Sequence, residues 1–287
     1  MTVIVGLIIV IASVLGGYMG GGGHVGVLWQ PFEFVIILGA GIGATICANS
    51  KVSLKSLGGS VGRMIKGPAY KKEDFLELLC LQYQIYKLAK TKGMLALEQH
   101  VENPEESALF SQFPKFHGDH HAVAFVCDYL RMMSLGADVP HEVEALMDQE
   151  LEVHHMEEHN VEAALVGLGE GLPALGIVAA VLGVIHTMGS ISEPPEILGK
   201  LIGAALVGTF FGILMSYGFV GPMASAYAKV TEEDSRYYEC LKAGILAHMA
   251  GNAPTVSVEY ARKTLMSHVR PSFYEVEEAA NELPAPG

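Results

Sequence analysis

Leu172-Pro-Ala-Leu-Gly-Ile-Val-Ala-Ala-Val-Leu-Gly-Val-Ile-His-Thr-Met188 carries no charged side chain. As a helix it is long enough to cross most of the roughly 30 Å of hydrocarbon in a bilayer. A second apolar run at 197–220 follows it, interrupted only by Lys200, and two more lie at 3–19 and 32–48. Between residues 161 and 228 Lys200 is the only base, and residues 1–50 contain no Lys or Arg and a single acid, Glu33. A chain that is 51% hydrophobic and 17% charged, with its charge confined to two blocks, is not built around one soluble core. The expected fold is all-α: a polytopic membrane protein with four transmembrane helices and a helical cytoplasmic domain. The segments are spans one and two in 1–50, a cytoplasmic helical domain in 51–164, spans three and four in 165–227, and a cytoplasmic helical extension and tail in 228–287.

The basic residues orient these spans. Lys51, Lys55, Arg63, Lys66, Lys71 and Lys72 follow the second span, whereas the connection at 20–31 has none. Basic loops stay inside, so residue 51 onward is expected in the cytoplasm, as are both termini. The first apolar run lacks a basic leader and is followed closely by another span, so it reads as retained. Cys47, Cys80, Cys127 and Cys240 then fall in a span or in a reducing compartment, where structural disulfides are not expected. The net charge of −13 argues against nucleic acid as a partner.

Between the span pairs, apolar spacing predicts a helix over 74–92 with Phe75, Leu78, Leu79, Leu81, Ile85 and Leu88 on its buried side. Gly93 ends it, and 95–101 continues as a shorter helix toward Asn103-Pro104. Further helices are expected over 121–135 and 142–158, the latter running toward the third span, and helical character persists from Pro222 to about Ala250. The last dozen residues, ending Leu-Pro-Ala-Pro-Gly, read as disordered.

Two motifs do not survive their context. Gly39-Ala-Gly-Ile-Gly-Ala44 fits a loose dinucleotide fingerprint but lies inside an apolar span, where small residues serve helix packing. His155 and His159 share a helix face, but Met156 stands where a zinc protease needs Glu, and His120-His121 adds no ligand spacing. No metal or cofactor is expected. No nucleophile–base arrangement assigns a catalytic residue, so the chain does not read as an enzyme.

The third and fourth spans carry Pro173 and, at the end of the fourth, Pro222. Proline cannot donate the i to i−4 bond, so the expected free carbonyls are those of Gly169 and Gly218. Either the prolines are packing kinks whose backbone groups neighbours satisfy, or they are a matched pair of hinges along an ion path. Gly176, Gly183, Gly199, Gly203, Gly208 and Gly212 permit close helix approach. Thr209 is the one hydroxyl in the middle of the fourth span; it can bond back to its own helix or line a pore. A proton carrier needs an ionisable group near mid-membrane. Here Glu33 and Glu170 both fall at span ends, so a proton path demands an acid from another polypeptide.

Ala205-Leu-Val-Gly-Thr-Phe-Phe-Gly-Ile-Leu214 followed by Pro222 resembles the signature of the MotA family of flagellar motor stator subunits, within the MotA/TolQ/ExbB proton channel superfamily. Gln30-Pro-Phe-Glu33, Glu102-Asn-Pro104, Asp128-Tyr-Leu-Arg131, Glu144-Ala-Leu-Met-Asp148, Leu172-Pro-Ala-Leu-Gly-Ile-Val-Ala-Ala180 and Arg270-Pro-Ser-Phe273 extend the similarity along nearly the whole chain. The resemblance implies a homo-oligomeric ring in the bacterial inner membrane around a MotB-type single-span, peptidoglycan-anchored partner that supplies the membrane aspartate. Ion flow would then drive the 51–164 domain against the rotor protein FliG. Pro173 and Pro222 match the prolines tied to coupling; Lys90 and Glu98 match charged rotor-contact positions, as do Arg131 and Glu150. The family commonly has Arg where this chain has Lys90, which keeps the charge and loses the bidentate fork. Sodium-driven relatives carry Thr at the position of Ala180, so the resemblance favours protons.

Two other readings lie open to test. One is an energiser like ExbB or TolQ driving a periplasmic partner, although those relatives have three spans. The other is a non-conducting membrane scaffold, against which the Pro–Gly pairing and Thr209 argue.

Overall fold

The computed structural model describes residues 2–284, and no strand occurs among them. Four helical stretches are long and apolar enough to cross a membrane: Thr2–Gly20, Val25–Ala48, Pro140–Gly189 and Pro195–Met249. The first is α1 (Thr2–Gly20); a 3-10 turn at Val25–Leu28 leads into α2 (Pro31–Ala48). Pro31 occupies the first helical turn, where its missing N–H costs nothing. After two residues comes α3 (Lys51–Lys66), capped by Ser50 Oγ, which accepts the Ser53 N–H at 3.2 Å. Then follow α4 (Lys72–Lys92), α5 (Leu95–Glu102), the short α6 (Pro114–His117) and α7 (His120–Ser134). The helix expected over 142–158 and the third span are one uninterrupted helix, α8 (Pro140–Gly189), with Pro173 inside it. The fourth span is α9 (Pro195–Ile213), a π-helical stretch Leu214–Val220, and α10 (Gly221–Met249). The chain closes with α11 (Pro254–Lys263) and α12 (Phe273–Glu282).

The residues divide into two compact units, each assembled from two separated stretches: Met1–Gly67 with Met156–Thr231, and Pro68–His155 with Glu232–Gly287. Residues 51–67 and 156–164 thus group with the spans.

In the unit that holds the spans, large side chains point outward. Ile8 is 58% exposed, Val35 70% and Leu206 65%. Apolar surface of this kind is ordinary for helices whose solvent is lipid. The interior is narrow and built from Ile37, Leu172 and Ala179, and glycines set its width. A Cβ on Gly212 would stand 2.6 Å from the Leu172 carbonyl oxygen and 2.9 Å from Gly176 Cα. One on Gly176 would stand 2.9 Å from the Gly208 carbonyl oxygen, and one on Gly183 would meet Ala205 at 2.7 Å. Helices α8 and α9 therefore touch backbone to backbone, as small-residue membrane interfaces do.

The second unit has a conventional core. Phe75, Leu78, Leu79, Leu81, Ile85 and Leu88 of α4 are all buried, as expected, against residues of α5, α7, α10 and α11. Each such side chain contributes about 1.5–3 kcal/mol on burial. Tyr70 and Tyr237 stack at 3.9 Å, and Asp119, whose carboxylate caps α7, accepts the Tyr70 hydroxyl proton at 2.5 Å. Gly93, at φ +83°, ends α4 with its N–H on the Ala89 carbonyl, because that backbone conformation suits glycine.

The expected disorder of the last dozen residues is corrected. Ser272 and Glu275 form a reciprocal capping box that starts α12, Val276 and Ala280 are buried, and Gln84 Nε2 donates to the Pro284 carbonyl oxygen at 2.8 Å. Only residues 285–287 of that dozen lie outside the described residues. Glu275 also accepts from Lys72 at 2.6 Å, and that bond, with the cap, holds its carboxyl down at about 2.

The glycine contact makes a quantitative demand. Gly212→Ala is expected to lower the thermal midpoint of the detergent-solubilised protein by the equivalent of roughly 1–3 kcal/mol, because the helices must separate. Gly203→Ala is the control: a Cβ there meets nothing within 4 Å, so its midpoint stays level or rises slightly.

Candidate functional site

The expected ion-path residues all belong to the unit that holds the spans. Gly169, in the turn of α8 before Pro173, packs on the turn before Pro222. Its Cβ position lies 3.3 Å from Val220 Cγ1 and 3.7 Å from the Gly221 nitrogen. The two prolines are thereby linked through the backbone that precedes each.

Further along the same helix pair, the Cβ position of Gly176 lies 3.4 Å from Thr209 Cα, and that of Gly208 lies 3.3 Å from the Ala180 nitrogen. Ala180 and Thr209 are thus brought to one helix contact. Thr45 and Thr187 bond back to the carbonyls of Gly41 and Gly183 at 2.9 and 2.8 Å. Thr209 makes no side-chain hydrogen bond among the described residues, which leaves its hydroxyl available to a ligand.

Gly218 is placed differently from Gly169. Its Cβ position meets Val10 of α1 and Leu214 at 3.1 Å, so it packs toward the first span. The backbone before Pro222 is wide: the Gly221 N–H reaches the Ser216 carbonyl, five residues back, as part of the π-helical stretch. Such stretches recur at functional positions in helices. Glu170 and Pro222 are exposed, and Pro173 is half-buried.

Glu33 is the residue whose reach the sequence concealed. It lies in the first turn of α2, yet its carboxylate sits between α8 and α9, with Oε2 3.1 Å from the Cβ position of Gly208 and Oε1 3.5 Å from that of Gly183. Oε2 is buried and has no hydrogen-bond partner among the described residues. Buried polar atoms are normally paired, and an unpaired one marks strain or function. Distance from the span end, the only signal available in sequence, does not reveal how far a side chain reaches across a glycine.

A second group of candidates belongs to the other unit. Glu98 and Arg131 share a groove of about 370 Å³ between α5 and α7, with Met94, Leu95, Val101, Glu102, Ser134 and Leu135. Leu95 and Leu135 in this groove are 80% and 83% exposed. Arg131 is already engaged: its Nε donates to Glu102 at 2.8 Å and its Nη1 to Asp128 at 2.9 Å. The Glu102 bond pushes the guanidinium above its ordinary value. Glu150 accepts the Tyr129 hydroxyl proton at 2.7 Å. Lys90 is exposed near the end of α4 and makes no ion pair among the described residues. Burial, and then the Lys90 charge, push His248 below its ordinary value.

The histidines singled out in the sequence do not gather. His159 faces Glu162 at 3.4 Å and His154 packs on the Tyr238 ring at 5.6 Å. Among the described residues no group of three or more potential ligands is placed to hold a metal ion.

The Motility protein A N-terminal family matches residues 4–93, and the MotA/TolQ/ExbB proton channel family matches residues 119–240. Motility protein A of Salmonella typhimurium is 42% identical over 97% of this chain and 94% of its own length. Motility protein A of Escherichia coli is 41% identical over 100% of this chain and 97% of its own. The solved structure of C. jejuni MotAB superposes with a TM-score of 0.76 at 18% identity, covering 93% of this chain and 96% of that one, which shows a common fold. The chain belongs to the motility protein A family, the flagellar stator subunits of the MotA/TolQ/ExbB proton channel family.

Proposed function

We propose that copies of this chain form a ring around a MotB-type single-span, peptidoglycan-anchored partner in the bacterial inner membrane, and that protons passing the partner's acid drive torque on the rotor protein FliG. The observation that carries this reading is the contact between the two proline-bearing helices. Gly169 meets Val220 and Gly221, and Gly176 meets Thr209 and Gly212. Gly169 meets the Val220 side chain directly, so a shift at Pro173 would be passed to the turn before Pro222. One charge crossing 100 mV releases about 2.3 kcal/mol, enough for a modest step of this kind.

Both termini and the unit carrying Glu98 are assigned to the cytoplasm. There Lys90, Glu98, Arg131 and Glu150 face the rotor. Glu98 is the strongest candidate, because the exposed Leu95 and Leu135 beside it suit a basic, amphipathic partner helix. The chain itself does no covalent chemistry on this reading. Protons are favoured over sodium because Ala180, at the contact with Gly208, offers no hydroxyl to a dehydrated ion.

Pro173→Ala is expected to abolish swimming with membrane levels unchanged; normal motility would remove its coupling role. Glu98→Lys is expected to cut torque more than stator assembly and to be partly restored by a compensating charge change on the rotor. Undiminished torque in the single variant would return Glu98 to an ordinary solvated side chain. Swimming speed of a complemented deletion strain should stay level when external sodium is replaced by potassium, and strict dependence on sodium would overturn the proton assignment.

A further inference from the structure

The helix α3 has three distinct faces. Ser53, Leu57, Ser60 and Met64 recur at helical spacing and turn inward; Ser60 and Met64 are buried, Met64 among Val161, Leu165, Ala224 and Tyr227. Beside this face lie Leu54, Val61 and Ile65, with Val61 42% and Ile65 41% exposed. Beyond them lie Lys51, Lys55 and Lys66, all exposed and without an ion pair among the described residues. Arg63, at the edge of the basic face, is taken up by the protein: it pairs with Glu158 at 2.6 Å and lies over the Tyr227 ring.

Only Asn49 and Ser50 separate α3 from the candidate span α2, so the helix follows directly on that span. No acid occurs between Glu33 and Glu73, in a chain whose net charge is −13. We propose that the outer two faces of α3 form a binding surface for anionic phospholipid, with Leu54, Val61 and Ile65 against acyl chains and Lys51, Lys55 and Lys66 on the headgroups. A soluble phosphate would satisfy the lysines and leave the apolar face uncovered; an amphiphile with an anionic head satisfies both. Lysines near an anionic surface each add a favourable electrostatic contribution that salt screens. This surface shares no residue with the ion path or with the groove beside Glu98, and it does not depend on either assignment.

The test uses the full chain co-purified with its single-span partner and reconstituted in mixed vesicles of phosphatidylcholine and phosphatidylglycerol. Bromine is placed on the acyl chains of one lipid or the other at equal mole fraction. The fluorescence difference between Val61→Trp and the unsubstituted protein reports quenching at α3 alone. Brominated phosphatidylglycerol is expected to quench at least about threefold more effectively than brominated phosphatidylcholine, and less so at high salt. Replacing Lys51, Lys55 and Lys66 together by Gln should equalise the two lipids. Equal quenching before that replacement would overturn the headgroup preference. No quenching by either lipid would show the face covered by protein, such as a second copy, and overturn the proposal entirely. If Val61→Trp fails to co-purify with the partner, Ile65→Trp reports the same face.

Discussion

The spans depend on the approach of α8 to α9 without side chains between them. Gly176, Gly208 and Gly212 bring carbonyl oxygens and α-carbons to distances that no Cβ would permit. In lipid there is no hydrophobic drive to press helices together, so dispersion between closely apposed backbones must hold them. The same closeness places Ala180, Thr209 and the Glu33 carboxylate around one contact. The packing of the two helices is thus also what positions these three groups.

The other unit is stabilised by different means. Its core is aromatic and aliphatic, closed by the Tyr70–Tyr237 stack and by capped helix ends, and its surface chemistry is acidic. In that unit Leu95 and Leu135 lie exposed beside Glu98. The carboxylates that hold Arg131 also fix it as part of the groove wall, leaving Glu98 as the group open to a partner.

Much of this was legible in the sequence. Charge-poor runs of span length gave all four membrane helices, and apolar spacing gave α4, α5 and α7 to within a few residues. Pairing was not legible, because glycine spacing says that a helix can approach another without saying which. Gly218 illustrates the limit: proline chemistry made it equivalent to Gly169, yet it packs on α1. The reach of Glu33 depends on the same unseen pairing. The helix α12 was missed because a polar, proline-ended tail looks unstructured until Ser272 and Glu275 are seen to cap each other and Val276 finds a core.

Both units are assembled from stretches that are distant in the chain. During synthesis α1 and α2 therefore enter the membrane well before α8 and α9 exist, and α1 buries none of its residues even in the finished fold. The interior formed by Ile37 and Leu172 can close only after the intervening stretch 68–155 has been synthesised. The early spans must persist in lipid as independent helices, which their uniform apolarity allows. The order of manufacture thus suits a first span that is apolar along its whole length and meets the fourth span, at Val10 and Gly218, only late.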